Sequence, residues 1–199
     1  MIVISNPTAI ANEIQIIHSL FEEGLELLHI RKPEFSASEM KDFVNAIGLE
    51  FRKRLILHSH HDLAEDLEII RLHLSEKERK EISTKTLYEY NERRIRLSTS
   101  THSIDDFNHL RLFFQYAFLS PVYPSISKTN YQSEINLLED IKNRTNFSTQ
   151  LVALGGISPK NIGKTIKAGF DDVALLGTIW NTENPIQNFK LCQQIALSF

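Results

Sequence analysis

The segment that decides the fold is LVALGGISPKNIGKTIKAGFDDVALLGTIW, residues 151–180. Two short apolar runs, Leu151–Leu154 and Asp172–Leu176, enclose a stretch whose apolar residues have helical spacing. Gly169 ends that stretch and precedes the second run, at the place where helices commonly end on a left-handed glycine. A strand, a helix and a second strand in this order predict a βαβ unit, in which the two strands run parallel.

The same alternation of short apolar runs and helical segments extends over the whole chain. Eight βα repeats in 199 residues predict a small (β/α)8 TIM barrel, with residues 1–199 forming a single domain with short loops. The alternative is an open doubly wound sheet, but no G-x-G-x-x-G motif follows an early strand. The eight candidate strands are Ile2–Ser5, Leu25–Ile30, Arg54–His58, Ile69–His73, Ile95–Ser98, Tyr116–Leu119, Leu151–Leu154 and Asp172–Leu176.

The composition limits the classes of partner that the chain can have. Its net charge is −3 and its basic residues are scattered, so neither nucleic acid nor an anionic membrane is an expected partner. No apolar run reaches the roughly 18 residues of a membrane span. The single cysteine, Cys192, cannot form an internal disulfide, which fits a reducing compartment. These features predict a cytoplasmic protein, and they leave a homo-oligomer open.

Polar residues end many of the apolar runs, and in a barrel of this class active sites lie at the carboxyl ends of the strands. His58-Ser59-His60 resembles a metal-binding H-x-H motif, although residues that begin a helix give the same pattern. A zinc site built from His58, His60, His29 and His73 is therefore one alternative. The loop after the sixth run could hold an anion or be simply solvated. The candidate ligand-binding residues are His29, Arg31, His58 and Ser100 at strand ends, and Ser125, Ser127 and Lys128 in that loop.

Glycines concentrate late in the chain, with five of the seven between residues 155 and 177. Gly155-Gly156 leads from the seventh run into a helix N-terminus, where free N–H groups and the helix dipole attract anions. Gly177 follows the eighth run, and barrel phosphate sites commonly use the loops after strands seven and eight. We therefore predict a phosphate site at these three glycines, with turn glycines that bind no ligand as the alternative.

His102 follows the fifth run in the segment STSTHSIDD, residues 98–106. A histidine at this position can take up and return a proton near neutral pH, which makes it a candidate acid/base. It also precedes a helix that Ser103 would cap, so an ordinary residue before a helix is the alternative interpretation.

Five segments, in this order, give the chain its resemblance to the thiamine phosphate synthase/TenI family, a family of (β/α)8 barrels. The resemblance covers nearly the whole chain. The segments are LHIRKP (residues 28–33), HSHHDLA (58–64), STSTHS (98–103), YAFLSPVYPSISK (116–128) and VALGGISPKNI continuing to AGFDDVALLGTIW (152–180).

The resemblance implies roles for individual residues. It implies that Arg31 corresponds to the arginine after strand two and Ser100 to a serine near the pyrimidine pocket of the synthases. Ser125, Ser127 and Lys128 resemble their pyrophosphate-binding loop. The residues that the resemblance places on the thiazole-phosphate site are Gly155, Gly156, Leu176 and Gly177.

Synthases of this family join a pyrimidine diphosphate to a thiazole phosphate with Mg²⁺ present and release pyrophosphate. This chain departs from their pattern, since His58 and Ser59 stand where the synthases carry Asn-Asp, and a hydroxyl is a poor substitute for a carboxylate on Mg²⁺. The second acidic ligand of the synthases corresponds to Glu78 or a neighbour. A divergent synthase using Mg²⁺ and Glu78 is therefore an alternative for this chain.

TenI proteins share the barrel but aromatise a carboxythiazole phosphate by a proton shift, without a cofactor. This chain is similar to them in reading His-Ile-Arg after strand two and in lacking the Asp after strand three. Their acid/base histidine lies in a Ser-x-His-Ser context that His102 matches. The resemblance therefore favours a thiazole tautomerase with His102 as catalytic residue. Besides the synthase, a phosphate-binding regulator without activity and a metal-dependent barrel hydrolase remain as alternatives.

Overall fold

A computed structural model describes residues 1–124 and 137–199 and shows a closed parallel barrel of eight strands. Each strand pairs with the next strand in the chain, and the first pairs with the eighth to close the sheet. The TIM-barrel prediction is confirmed. The strands are β1 (Ile2–Ile4), β2 (Leu27–Ile30), β3 (Leu55–Leu57), β4 (Arg71–Leu74), β5 (Arg96–Thr101), β6 (Phe114–Leu119), β7 (Gln150–Ala153) and β8 (Asp172–Leu175).

Each predicted apolar run overlaps one of these strands, with bounds that differ by one to three residues, and β5 continues three residues beyond its predicted end at Ser98. The polar sequence STST does not look like a buried strand. Its threonines satisfy their hydroxyls within the sheet, because Thr99 donates to the Leu74 carbonyl at 2.8 Å and Thr101 to the Phe118 carbonyl at 3.1 Å. β-branched side chains also favour the extended backbone. Ser100 therefore lies within a strand rather than in a loop.

Helices connect the strands and pack on the outside of the barrel. Residues 75–92, which are charged and only weakly periodic, form two helices, and serine side chains cap both N-termini. The helices are α1 (Glu13–Glu22), α2 (Ala37–Ile47), α3 (Glu76–Glu81), α4 (Thr84–Glu92), α5 (Ile104–Asn108), α6 (Leu137–Asp140), α7 (Ile162–Lys167), α8 (Gly177–Trp180) and α9 (Pro185–Ala196), with 3₁₀ turns at Leu49–Arg54, His61–Ala64 and Ile141–Asn143.

In the part of the chain that the structure describes, none of the helices has the length and apolar character needed to cross a lipid bilayer.

The apolar core of the barrel has two layers. The larger layer fills the space between the sheet and the helices, and the smaller one lies inside the barrel. This division follows from the alternation of side chains along each strand, which sends successive residues to opposite faces of the sheet.

The inside of the barrel is apolar on one side only. The inner apolar cluster comes from β1, β6, β7 and β8. On the other side, β2, β4 and β5 contribute the buried polar side chains His29, His73 and Ser98. Barrel interiors are usually filled by bulky branched apolar residues, so this polar half marks the part of the interior that can do chemistry.

Candidate active site

A pocket with a volume of about 560 Å³ opens at the carboxyl ends of the barrel strands. Ile4, Phe118 and Leu154 give it an apolar wall, and histidine, serine and arginine side chains give it a polar one. Eight of the residues predicted to form the site line this pocket, namely Arg31, His58, Ser100, His102, Gly155, Gly156, Leu176 and Gly177. The structure thus brings together predicted residues from five of the eight βα units. Their roles stay predictions.

Two predicted site residues lie elsewhere. The His29 side chain is 0% exposed beneath the pocket and contacts His58, so it does not line the pocket as predicted. The Glu78 carboxylate accepts hydrogen bonds from the backbone N–H of Ser75 at 2.7 Å and from its hydroxyl at 2.6 Å. It is therefore half of a capping box at the start of α3 and does not line the pocket, and its role as a metal ligand stays a prediction. The predicted loop residues Ser125, Ser127 and Lys128 lie outside the described residues.

His102 stands at the edge of the pocket, directly after β5. Its Nδ1 lies 2.7 Å from the carbonyl oxygen of Ser120. Because a carbonyl can only accept, Nδ1 carries a proton in this contact, and Nε2 is the basic nitrogen of the neutral ring. That nitrogen is 3.4 Å from Oε2 of Glu76. The arrangement fixes which nitrogen can exchange a proton with a ligand.

Glu76 is the pocket carboxylate that the sequence did not reveal. It is the first residue of α3, and Lys80 donates a hydrogen bond to its Oε1. That hydrogen bond, together with the charges of Lys80 and His102, lowers the pKa of Glu76 below its usual value. The carboxylate is therefore negatively charged at neutral pH beside His102. The signal in the sequence was its position directly after Ser75, the N-cap residue that follows the fourth strand.

The two glycines after β7 are required by packing. Gly155 and Gly156 have φ values of 97° and 62°, which side chains rarely adopt. A Cβ added to Gly156 would lie 2.5 Å from the carbonyl oxygen of Pro124, and one added to Gly155 would lie 2.9 Å from Cα of Pro121. The loop after β6 therefore rests directly on this turn. The backbone conformation and close packing of this turn require glycine whether or not a phosphate binds. The two glycines alone therefore do not indicate a ligand.

We expect Gly156→Ala to lower the free energy of unfolding by about 1–3 kcal/mol, because the new methyl group overlaps the Pro124 carbonyl. Gly24→Ala is the matched control, since Gly24 has a φ of 92° but its Cβ would meet only a side-chain nitrogen at 3.3 Å. Denaturant unfolding of both variants measures the difference. An equal loss in the two variants would show that the close approach of the loop is not the cause.

Three histidines form a cluster that includes part of the pocket floor. His29 Nδ1 lies 2.7 Å from His58 Nε2, and the rings of His58 and His73 stack with centroids 4.2 Å apart. His29 Nε2 lies 2.6 Å from the hydroxyl of Tyr116. His73 contacts the hydroxyls of Ser98 and Ser100, each at 3.0 Å. His58 and His73 line the pocket, and His29 supports them from below.

All three histidines are held in the neutral form. Burial lowers the pKa of His29 and His58 well below the usual histidine value, and it lowers the pKa of His73 to about 3. The neighbouring imidazoles add to the effect, as does Arg31 for His58 and His73. Neutral imidazoles each have one donor and one acceptor nitrogen, so the cluster can bind a ligand or a metal without carrying charge itself.

The other two histidines of this region, His60 and His61, lie in the connection that follows β3. This agrees with the interpretation that residues beginning a helix produce the histidine pattern. His60 is the N-cap of the 3₁₀ turn His61–Ala64, and its Nε2–H donates to the Phe35 carbonyl oxygen at 2.8 Å. His60 is therefore turned away from the cluster. A four-histidine zinc site that includes His60 is corrected by this contact.

Comparison with known proteins now adds the family. A family model described as thiamine monophosphate synthase matches residues 1–179. The chain belongs to this thiamine phosphate synthase/TenI family. A thiamine-phosphate synthase of Bacillus velezensis is 23% identical over 194 residues, covering 91% of this chain and 82% of that protein. A solved thiamine phosphate pyrophosphorylase of Bacteroides thetaiotaomicron superimposes with a TM-score of 0.75 at 29% identity, covering 98% of this chain and 96% of the other.

One relative has a higher identity over a shorter stretch. A thiamine-phosphate synthase of Xylella fastidiosa is 35% identical over 79 residues, which are 39% of this chain. The match spans only 32% of the length of that relative. Family membership therefore rests on the family model, whereas the activity of this particular chain has to be argued from its pocket.

Membership of the thiamine phosphate synthase/TenI family raises the question of Mg²⁺, which the synthase reaction implies. Mg²⁺ prefers oxygen ligands in near-octahedral geometry. Among the described residues that line the pocket, Glu76 is the one carboxylate, and it already bonds Lys80 and faces His102. The neighbouring donors are the imidazole nitrogens of His58 and His73 and the uncharged hydroxyls of the pocket serines, Ser75, Ser100 and Ser120. This donor set does not fit Mg²⁺.

Proposed function

We propose that the protein is a thiazole tautomerase, which aromatises a carboxythiazole phosphate by an acid/base proton shift. The observation that carries this proposal is the fixed tautomer of His102, whose Nδ1–H donates to the Ser120 carbonyl oxygen at 2.7 Å. Its Nε2 is then free to accept a proton at the edge of the pocket. A 1,3-proton shift needs one group that both takes and returns a proton, and it needs no metal.

In this reaction, Nε2 of His102 takes a proton from a ring carbon of the non-aromatic substrate. It then returns a proton to the atom at the other end of the shifting double bond. The substrate keeps its number of protons, and His102 returns to its starting state. Between the two transfers the imidazolium is stabilised by the Glu76 carboxylate, 3.4 Å from Nε2 in the free protein.

Substrate binding is assigned to the remaining walls of the pocket. The turn at Gly155-Gly156 and the backbone at Leu176-Gly177 leave room for a phosphate to approach main-chain N–H groups. Arg31 supplies a positive charge for the anionic groups of the ligand. The apolar wall near Ile4 and Leu154 is suited to one face of the thiazole ring.

Thiamine phosphate synthase is the second candidate, and the names of the curated relatives favour it. Such a reaction releases pyrophosphate, whose charge Mg²⁺ normally stabilises. The imidazole-rich donor set described above argues against this candidate. A regulator that binds thiazole phosphate without turnover is a further alternative, which the same assay separates, and a metal-dependent hydrolase is the last.

The purified protein is tested with two substrate sets. Carboxythiazole phosphate alone, followed by NMR, measures aromatisation, and thiazole phosphate with pyrimidine diphosphate and Mg²⁺ measures pyrophosphate release. We expect aromatisation well above the uncatalysed rate and no coupling. Coupling without aromatisation would establish the synthase instead. Binding of thiazole phosphate with neither reaction would support the regulator and contradict the tautomerase.

A further inference from the structure

We propose that His29, His58 and His73 form a binding site for one divalent transition-metal ion, of the zinc or cobalt class, at the floor of the pocket. One imidazole nitrogen from each ring lies within 4.8 Å of those from the other two. Within residues 1–124 and 137–199, this is the one group of three histidine, cysteine or acidic side chains with that proximity. The proposed proton shift does not use a metal, so this inference goes beyond the proposed function.

The spacing of the three nitrogens fits a small change on metal binding. Zn–N bonds of 2.0–2.1 Å in a tetrahedral site place two nitrogen ligands about 3.3 Å apart. Here His29 Nδ1 and His58 Nε2 are 2.7 Å apart, and the upper limit for the group is 4.8 Å. The required separation lies between these values. Changes in the nitrogen separations of about 1.5 Å at most, within reach of side-chain rotation, would therefore complete the coordination.

Hydrogen bonds on the far side of the cluster can fix the orientation of the two deepest rings. His29 Nε2–H can donate to the Tyr116 oxygen, and His73 Nδ1–H can donate to Ser98, whose own hydroxyl donates to the Leu72 carbonyl. The nitrogens left for the metal are His29 Nδ1, which contacts His58, and His73 Nε2, which contacts the Ser100 hydroxyl, so metal binding would replace these two contacts. Metal-binding histidines characteristically donate their second N–H in this way, which fixes the tautomer and the ring orientation.

The site has an open side. His58 and His73 line the pocket, whereas His29 is buried below them, so a fourth position on the metal would face the pocket. Three neutral imidazoles leave the ion with its full double charge, and Arg31 lies in the same pocket. The fourth ligand of the metal would therefore be an anionic oxygen, either from hydroxide or from the carboxylate of a bound small molecule. Three protein ligands with one open position are typical of catalytic rather than structural zinc.

Binding of the metal alone tests the proposal without any substrate. The full chain, freed of any affinity tag and stripped with a chelator, is titrated with Zn²⁺ by calorimetry and with Co²⁺ by visible absorption. We expect one ion per chain and the intense visible bands of tetrahedral Co²⁺. His58→Ala should weaken the affinity at least 100-fold. Tyr116→Phe, which keeps the ring, should weaken it about 10- to 100-fold by removing the hydrogen bond to His29.

His109→Ala is the matched control, because His109 is exposed on the outside of the barrel and its polar contacts among the described residues are with Asp105. It should bind both metals like the unmodified protein. An octahedral Co²⁺ spectrum, an unchanged affinity in His58→Ala, or no binding at millimolar metal would each overturn the proposal. The cluster would then be a hydrogen-bonded chain only. None of these results depends on tautomerase activity, so failure here and failure of the proposed function are distinguishable.

Discussion

His102→Ala should lower the rate of thiazole tautomerisation by about 10²- to 10⁴-fold, the usual contribution of a positioned acid/base. The reason is the hydrogen bond from Nδ1 to Ser120, which leaves Nε2 as the proton acceptor beside Glu76. The affinity for thiazole phosphate should change little, because the glycine turn assigned to the phosphate is untouched. Single-turnover kinetics measures the rate, and calorimetric titration with the aromatic product measures the affinity.

His109→Ala serves as the control for this variant too, since it removes an exposed histidine close in sequence and far from the pocket contacts. It should retain full activity. Glu76→Gln should reduce the rate by a smaller factor than His102→Ala, because it removes only the charge that stabilises the imidazolium. Full activity of His102→Ala would contradict the mechanism, and loss of phosphate affinity in the same variant would show that the residue binds rather than catalyses.

The barrel could be predicted from the sequence because its signal is local and repeated. A strand such as Leu55–Leu57 is apolar on both faces, and βαβ units can close only in a few ways. The end of β5 could not be predicted in the same way. Its threonines are polar in the sequence and become buried only through hydrogen bonds to carbonyls of the neighbouring strands, at Leu74 and Phe118.

The pocket could be predicted for residues that follow strands, such as Arg31 and His102, because all strand ends meet on one side of the barrel. Two kinds of information were missing from the sequence. The first is the capping geometry of α3, which decides which of its carboxylates faces the pocket. The Glu78 carboxylate caps the helix, and the Glu76 carboxylate lines the pocket. How deeply a strand residue lies depends on barrel closure, which places His29 beneath His58.

Lys32→Met should lower the free energy of unfolding by about 3–5 kcal/mol, the cost of leaving one member of a buried ion pair alone. Lys32 is 0% exposed, and its Nζ lies 2.5 Å from Oε2 of Glu13 on α1. Burial raises the pKa of Glu13 and lowers the pKa of Lys32. The hydrogen bond between the two groups and their opposite charges act against both of these pKa shifts. Without the ammonium, the carboxylate must take up a proton or remain charged in the core. Chemical denaturation monitored by circular dichroism measures the loss.

Two further variants separate the buried charge from other effects of the substitution. Glu13→Gln/Lys32→Met removes both charges and should recover more than half of the lost stability, because no isolated ion then remains in the core. Lys41→Met breaks the exposed pair with Asp66, 3.1 Å apart, and should cost less than about 1 kcal/mol because water screens that pair. If the double variant were as unstable as Lys32→Met, the lost cation–π contact of the Lys32 ammonium with the Phe43 ring would explain the effect instead. Because Lys32 directly follows the pocket residue Arg31, the pair also ties the end of β2 to α1, so the single variant should weaken ligand binding together with stability.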